Sequence, residues 1–237
     1  MIDTHCHLLP GLDDGPRTET DALELARALE AQGVTRVLCT PHFSGMFPTD
    51  HAAAVDRLLT LQPLLDSAGV RIETSVAAEI GPAAAVSAPL EQLVERSIGR
   101  RFALIEVLAD SSAASLAAIF ERLGDAGLGT ILGHPERCRA LHRKPDLLDP
   151  LRKEGALLQV VAPSLLGRWG RETEATAWRL IDTGRADILA SDAHGASRRR
   201  PHVRAACRLI AERLGDAVVE ELTVAKPRLM LDGVRPE

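Results

Sequence analysis

Seven short apolar runs, at 2–6, 34–40, 71–79, 102–108, 129–134, 156–161 and 187–191, recur along the 237 residues with helical or loop-like segments between them. Runs of this length, bounded by turn residues, read as buried strands. The intervening segments carry apolar residues at helical spacing. Over 18–32, Ala22, Leu25, Ala26 and Leu29 form one stripe; Thr18 stands at the cap position with Asp21 three residues on, and Gly33 marks the end. Val55, Leu58, Leu59 and Leu65 mark a second helix, which Pro63 is expected to kink or split. Further helices are expected near 115–126, 173–183, 199–214 and 216–222. Alternation of this kind buries both faces of a sheet when the strands are parallel and the helices lie outside. Seven units fit an irregular closed barrel or an open doubly wound sheet. No Pro/Ser-rich linker, repeat or low-complexity segment interrupts the pattern, so 1–237 reads as a single α/β domain.

A net charge of -5 argues against a duplex nucleic-acid binder, which would carry a strongly basic face. Lysine occurs only at Lys144, Lys153 and Lys226, so arginine supplies nearly all positive charge, a bias that codon usage explains. Cys6, Cys39, Cys138 and Cys207 are scattered without a C-x-x-C pair, which disfavours a zinc ribbon, a thioredoxin-like motif or a disulfide scaffold. The N-terminus lacks the basic-then-apolar pattern of a signal peptide, and no apolar run is long enough to span a bilayer. A cytoplasmic enzyme, neither inserted in a membrane nor bound to nucleic acid, is expected.

Polar residues collect where the apolar runs end, which is where site residues belong in parallel α/β architectures. The first run ends in His5-Cys6-His7, the second in Thr40-Pro41-His42, the third at Glu79. Glu106 lies near the end of the fourth, His134 ends the fifth, and Ser191-Asp192-Ala193-His194 ends the seventh. His5 and His7 alternate onto one strand face, with Cα atoms roughly 6–7 Å apart, while Cys6 faces the other way. Each residue alone has a bland reading: an H-x-H pair is often surface, and Asp13-Asp14 before Gly15-Pro16 suits a turn. Glu79 and Glu106 are harder to dismiss, because a carboxylate in an apolar strand is costly unless paired or metal-bound. Together these residues point to a metal site.

With imidazoles and carboxylates and no paired thiolate, the set suits manganese, iron or zinc in an open catalytic site rather than structural zinc. The candidates outnumber the ligands of one ion, so two or three ions sharing carboxylates are expected. Cys207 and Arg213 match the C-x5-R spacing of cysteine-dependent phosphatases, but the intervening residues lack glycine and read as mid-helix, so the match is treated as accidental.

His5-x-His7, Asp13-Asp14-Gly15-Pro16, Thr40-Pro41-His42, Ala78-Glu79, Leu104-Ile105-Glu106, His134-Pro135-Glu136-Arg137 and Ala190-Ser191-Asp192-Ala193-His194 occur in this order over nearly the whole chain. In this combination the sequence resembles the polymerase-and-histidinol-phosphatase (PHP) family, and within it the bacterial capsule and exopolysaccharide tyrosine-protein phosphatases. The resemblance implies a distorted seven-stranded, TIM-like β/α barrel with three metal ions, manganese first among the candidates. Carried over by motif, His5, His7, Glu79 and Asp192 would hold one ion; Glu79, Glu106 and His134 a second, with Glu79 bridging; Asp14, His42 and His194 a third. Arg137 and Arg199 match phosphate-contacting arginines, with Arg200 as the alternative to Arg199 and His202 as a substrate or proton-transfer group. The segment Phe43-Ser44-Gly45-Met46-Phe47 departs from members with basic residues there, and Lys226-Pro227 stands where related chains often have Asn-Pro.

The implied reaction is attack on phosphorus by metal-bound hydroxide, with the arginines neutralising phosphoryl oxygens. A tyrosyl leaving group, with a pKa of about 10, departs with little acid help. The implied partner is the phosphotyrosine tail of a bacterial tyrosine kinase that controls polysaccharide export. The chain contains no tyrosine and cannot be tyrosine-phosphorylated itself. The rival readings are a small-molecule phosphatase of the histidinol-phosphate type and a non-enzymatic metal or phosphopeptide binder.

Overall fold

A computed structural model describes residues 1–144 and 146–236. Its strands are β1 (Ile2–Cys6), β2 (Arg36–Cys39), β3 (His42–Phe43), β4 (Glu73–Val76), β5 (Glu79–Ile80), β6 (Phe102–Glu106), β7 (Gly129–Gly133), β8 (Leu157–Val161) and β9 (Ile188–Ala190). Every pairing between them is parallel. One sheet has the order β1-β2-β4, the other β3-β5-β6-β7-β8-β9. The expected α/β architecture is therefore present, but as nine strands in two sheets.

The higher count has a local cause. The expected strand over 34–40 stops at Cys39 and resumes at His42 because Pro41 has no N–H to give the ladder. Opposite it, the run over 71–79 breaks between Val76 and Glu79, where the Ala78 N–H leaves the sheet to bond the Arg96 carbonyl at 2.9 Å. The ladder restarts with the Glu79 N–H on the Pro41 carbonyl at 3.2 Å. At the other margin, β1 meets the end of β9: the Asp192 N–H bonds the His5 carbonyl and the His7 N–H bonds the Ala193 carbonyl, both at 2.9 Å.

Side-chain alternation places the site. Leu38, Leu104, Ile131, Leu157 and Ile188, from both sheets, meet in one buried cluster sealed by Met230. Two or four residues further along the same strand faces come His42, Glu106, Gly133, Gln159 and Asp192. The inner face is thus apolar at one end and polar at the C-terminal end of the strands. The outward residues Ala103, Ile105, Leu132, Leu158 and Leu189 pack against helices, as do Cys6, Val37 and Cys39 on the other sheet. Each leucine, isoleucine or valine among them contributes about 1.5–3 kcal/mol on burial.

The helix Glu19–Glu30 begins with the expected capping box between Thr18 and Asp21. Helix His51–Ser67 continues through Pro63, contrary to the expected kink or split. Proline deletes the bond to the carbonyl four residues back, and both Pro63 and Leu59 lie on the exposed side, where water can replace it. The helix expected over 199–214 starts only at Val203. Pro201 disfavours helical geometry at the residue before it, and Arg199 has a left-handed backbone with φ +49°. Near the C-terminus, a short helix Asp216–Glu220 passes through a π-helical turn, Glu221–Ala225, into helix Lys226–Leu231. No helix among the described residues is long and apolar enough to cross a membrane.

Candidate metal centre

The nine side chains singled out as ligands converge at the C-terminal ends of the strands. His5 and His7 leave one face of β1, each with Nε2 3.3 Å from Glu79 Oε2 and 3.6 Å from Asp192 Oδ1. His134 Nε2 lies 2.8 Å from the other Glu79 oxygen. His42 places Nδ1 3.0 Å from Glu79 Oε2 and Nε2 3.4 Å from Asp14 Oδ1. His194 Nε2 lies 3.0 Å from the same Asp14 oxygen. Potential ligand atoms fall into four overlapping groups: His7, Asp14, His42 and His194; His5, Glu79 and His134; His5, His7 and Asp192; and His42, Glu79 and Glu106. All nine residues occur in these groups, and no other described residue does. The overlap shares His5, His7, His42 and Glu79 between groups, whereas the motif assignment shares Glu79 alone.

In His5, His7 and His194 the ring nitrogen away from this cluster is already engaged, which fixes the role of the one facing it. His5 Nδ1 lies 2.7 Å from Gln159 Oε1, an oxygen that can only accept, so this nitrogen carries the proton. His7 Nδ1 bonds Asp13 Oδ2 at 2.6 Å, and His194 Nδ1 bonds the Asp192 carbonyl at 3.1 Å. The Nε2 atoms of His5, His7 and His194 are buried with no hydrogen-bond partner, as is Glu79 Oε2. Buried polar atoms are normally satisfied. Three ring nitrogens, each a lone-pair donor when its imidazole is neutral, and a carboxylate oxygen aim into one space, and together they are the donor set a divalent cation requires. The residues therefore fit the metal that the sequence implies.

Backbone geometry supports the same point. His134 and Asp192 both have positive φ, +37° and +49°, which costs non-glycine residues of order 1 kcal/mol or more and concentrates at functional sites. Gly15 is needed for a different reason: a Cβ there would lie 2.5 Å from the His7 carbonyl oxygen. Its absence lets the Asp13–Asp14 turn sit flat against the end of β1, and Asp13 is held there by the N–H groups of Gly15 and His42, both at 2.9 Å.

Without cations, the carboxylates bias the imidazoles toward the charged form. Burial opposes a charge on His7, but Asp13 and Glu79 outweigh it and push its pKa up to about 9. His42 is likewise raised to about 11 against the cost of burial, by Asp14 and Glu79. His194 goes the other way, to about 4, through burial and the neighbouring His7 charge. Burial raises Glu106, and the charge of Glu79 adds to the effect. Imidazole binds metal only when neutral. At pH 7, metal loading should therefore release protons from His7 and His42, and affinity should rise with pH. Titration calorimetry in buffers of different ionisation enthalpy measures the release; loading without proton release at pH 7 would refute it. The raised His7 also makes a stability statement. Its contribution to the metal-free fold is complete below pH 6.5 and is lost as pH rises through about 9.

The two expected phosphate-contacting arginines reach the cluster. Arg137 Nη2 bonds Asp192 Oδ2 at 2.6 Å. Arg199 bonds Asp14 Oδ2 at 3.0 Å and both Asp192 oxygens at 3.1 and 3.2 Å. Arg200 and His202 do not; they line a neighbouring cavity with Arg168. The cluster forms the floor of a cleft of about 540 Å³ whose walls include Met46, Phe47, Leu108 and Trp169. Cys207 of the C-x5-R match lies inside helix Val203–Leu214, its thiol raised to about 11 by burial, and Arg213 pairs with Asp182.

Three further side chains shape the centre without being among its proposed ligands or arginines. Gln159 carried a signal, as the only polar residue of the 156–161 run. Asp13 has the turn role its position suggests, but its second oxygen also orients His7. Trp169 stacks under the Arg137 guanidinium at 4.3 Å from the ring centroid and gave no periodic signal, being in a loop. Asp13→Asn should weaken metal affinity about 10–100-fold, the usual cost of losing a partner that orients a ligand. Chelator competition reads this directly, and unchanged affinity would assign Asp13 to the turn alone.

Residues 1–232 match the family described as capsular polysaccharide synthesis, CpsB/CapC. Tyrosine-protein phosphatase YwqE of Bacillus subtilis (strain 168) is 30% identical over 225 residues, covering 94% of this chain and 89% of that protein. Tyrosine-protein phosphatase CpsB of Streptococcus pneumoniae is 25% identical over 241 residues, 98% of each. Among solved structures, one from the work on YwqE and CpsB, described as unique metal-dependent tyrosine phosphatases, superposes with a TM-score of 0.90 at 28% identity, covering 100% of this chain and 96% of that one.

Proposed function

This chain belongs to the CpsB/CapC family of capsular polysaccharide synthesis, and from that premise we propose that it is a metal-dependent protein-tyrosine phosphatase acting on a tyrosine kinase of polysaccharide biosynthesis. The observation that carries the reading is the convergence of unpartnered buried ligand atoms on one space, with two arginines at its edge. The nine side chains would hold two or three divalent ions, manganese first: His5, His7, Glu79 and Asp192 one; Glu79, Glu106 and His134 another; Asp14, His42 and His194 a third. We further propose that β2 with β3, and β4 with β5, each count as one strand, so that the chain forms the seven-membered ring of a distorted single-domain barrel. The contact of β1 with β9 supports that closure.

Bound divalent ions lower the pKa of water toward neutrality and offset charge on the attacking and leaving oxygens. The remaining work falls to the protein. Arg137 and Arg199 now balance Asp192 and Asp14. Once cations balance those carboxylates, both guanidinium forks can serve phosphoryl oxygens, a geometry arginine matches in two-point contacts. Gln159 and Asp13 keep His5 and His7 in one tautomer. A phenolate, with a pKa of about 10, departs with little acid help, and no cysteine is needed.

The test compares turnover of a phosphotyrosine peptide and of histidinol phosphate, with manganese and with chelator. Manganese-dependent turnover of the peptide in preference to histidinol phosphate is expected. Equal rates in chelator would overturn the metal requirement, and preference for histidinol phosphate would overturn the tyrosine assignment.

A further inference from the structure

The chain is acidic overall, yet between Asp192 and Glu212 it has no acidic residue and five arginines: Arg198, Arg199, Arg200, Arg204 and Arg208. Arginine is the general cation of this protein, so number alone means little. Position means more. Beyond Arg199 and Trp169, on the side away from Asp14, lies a cavity of about 390 Å³ lined by Arg168, Arg200 and His202. It continues, through Arg200 and His202, into a groove lined by Arg204 and Arg208. Among the described residues, the only carboxylate lining either space is Asp192, which is already engaged by Arg137 and Arg199. Arg168, Arg200 and Arg204 are exposed, and none of them has a carboxylate partner among the described residues. Unpaired like charges in a row repel one another, a cost that a bound anion removes.

The opposite side of Trp169 and Arg199 has the reverse character. There Asp13, Asp14, Asp21 and Glu24 line the cavity, with Arg17 and Arg198. The mouth of the metal centre is therefore polarised, basic on one side and acidic on the other. A ligand that enters the centre and extends along the basic side passes Arg199, then Arg168 and Arg200, then Arg204. An extended peptide advances about 3.3 Å per residue with alternate side chains on one face, which suits a row of separate cations. The local potential is visible at His202, whose pKa is lowered by burial and by the charges of Arg200 and Arg168.

We propose that the Arg168–Arg200–Arg204 track is a docking surface for an acidic peptide segment flanking the phosphotyrosine, and that it sets substrate preference by charge. This rests on the tyrosine-phosphatase reading and adds to it the sequence class of the substrate. Complementary charge of this kind acts mainly on encounter and register, and fades with salt.

The test uses the full manganese-loaded enzyme and three phosphotyrosine peptides, with glutamate, glutamine or lysine flanks, alongside p-nitrophenyl phosphate. With glutamate flanks, kcat/KM should exceed that for glutamine flanks by about tenfold at low salt and approach it at high salt. Arg168→Glu should abolish or invert the preference, and Arg168→Lys should restore most of it. Both variants should hydrolyse p-nitrophenyl phosphate at the parental rate, since Arg168 touches none of the proposed ligands. Equal kcat/KM across the flanks, or a preference unchanged in Arg168→Glu, would overturn the proposal. So would binding to anionic phosphatidylglycerol vesicles that Arg168→Glu abolishes while flank preference is absent, because the track would then serve a membrane surface. Failure to hydrolyse any aryl phosphate is a different result and would count against the phosphatase reading itself.

Discussion

Glu79→Gln is expected to lower phosphotyrosine-peptide turnover by about 10³-fold or more, equivalent to ~4 kcal/mol of transition-state stabilisation. Glu79 is 1% exposed and faces four imidazoles: His5 and His7 at 3.3 Å, His42 at 3.0 Å and His134 at 2.8 Å. Glutamine keeps the shape but replaces an anionic oxygen with an N–H donor, which cannot bind a cation and opposes imidazole N–H groups. The loss should therefore appear as metal content below that of the parent, measured by elemental analysis, and saturating manganese should not restore the rate. A variant with full metal content and parental turnover would remove Glu79 from the centre. Stability gives a second reading. Burial raises the Glu79 pKa, but the charge of His5, the bond from His134 and the close approach of His42 outweigh it and hold it well below the usual carboxylate range. Its contribution to the metal-free fold is present above the unfolded value near 4.5 and is lost as pH falls. Metal-free Glu79→Gln should thus melt below the parent at pH 7, with the gap narrowing in acid.

Eight of the nine proposed ligands are legible because strand periodicity and strand polarity are both local properties, whereas Asp14 suits a turn and enters only through the family resemblance. A residue at the end of an apolar run, on the same face as the buried positions before it, has only one place to go in a parallel sheet. His5 and His7 are legible this way, and Glu79 and Glu106 through the cost of a carboxylate in an apolar run. The strand breaks were less legible, although Pro41 stood in plain view. Whether a proline interrupts a ladder or sits at its margin depends on which neighbouring carbonyls need a donor, and that is tertiary information. Pro63 shows the converse, a proline that its helix tolerates on the solvent side. Arg199 lies in a loop rather than in the helix that periodicity suggested. Its left-handed backbone and its reach to Asp14 and Asp192 come from the fold around it. Asp13 and Trp169 remained unassigned because their roles lie in what they orient, and orientation across sequence-distant partners leaves no pattern in one chain.

Arg137→Ala should separate charge neutralisation at the substrate from metal binding. The expected effect is a fall in kcat of about 10²–10³-fold, the range for removing one preorganised donor to transition-state charge. Metal content should remain at the parental level, because Arg137 is a cation and cannot itself be a ligand. Lysine should restore little of the rate, since a point charge cannot reproduce the planar fork and would not stack on Trp169 in the same way. The metal-free protein gives an independent check. There the Arg137 guanidinium is 2.6 Å from buried Asp192, whose carboxyl is held far below its ordinary range, against the cost of burial, by Arg137 first and then by His5, His134 and Arg199. Removing Arg137 leaves Asp192 with Arg199 alone among the arginines, so the metal-free variant should unfold at lower temperature than the parent. Manganese should close that gap by supplying the missing positive charge, and calorimetric melting of both proteins with and without metal measures it. A variant that loses metal along with activity would place Arg137 among the groups that build the centre rather than those that act on phosphate. One that keeps parental turnover would leave Arg199 as the sole phosphate-binding arginine.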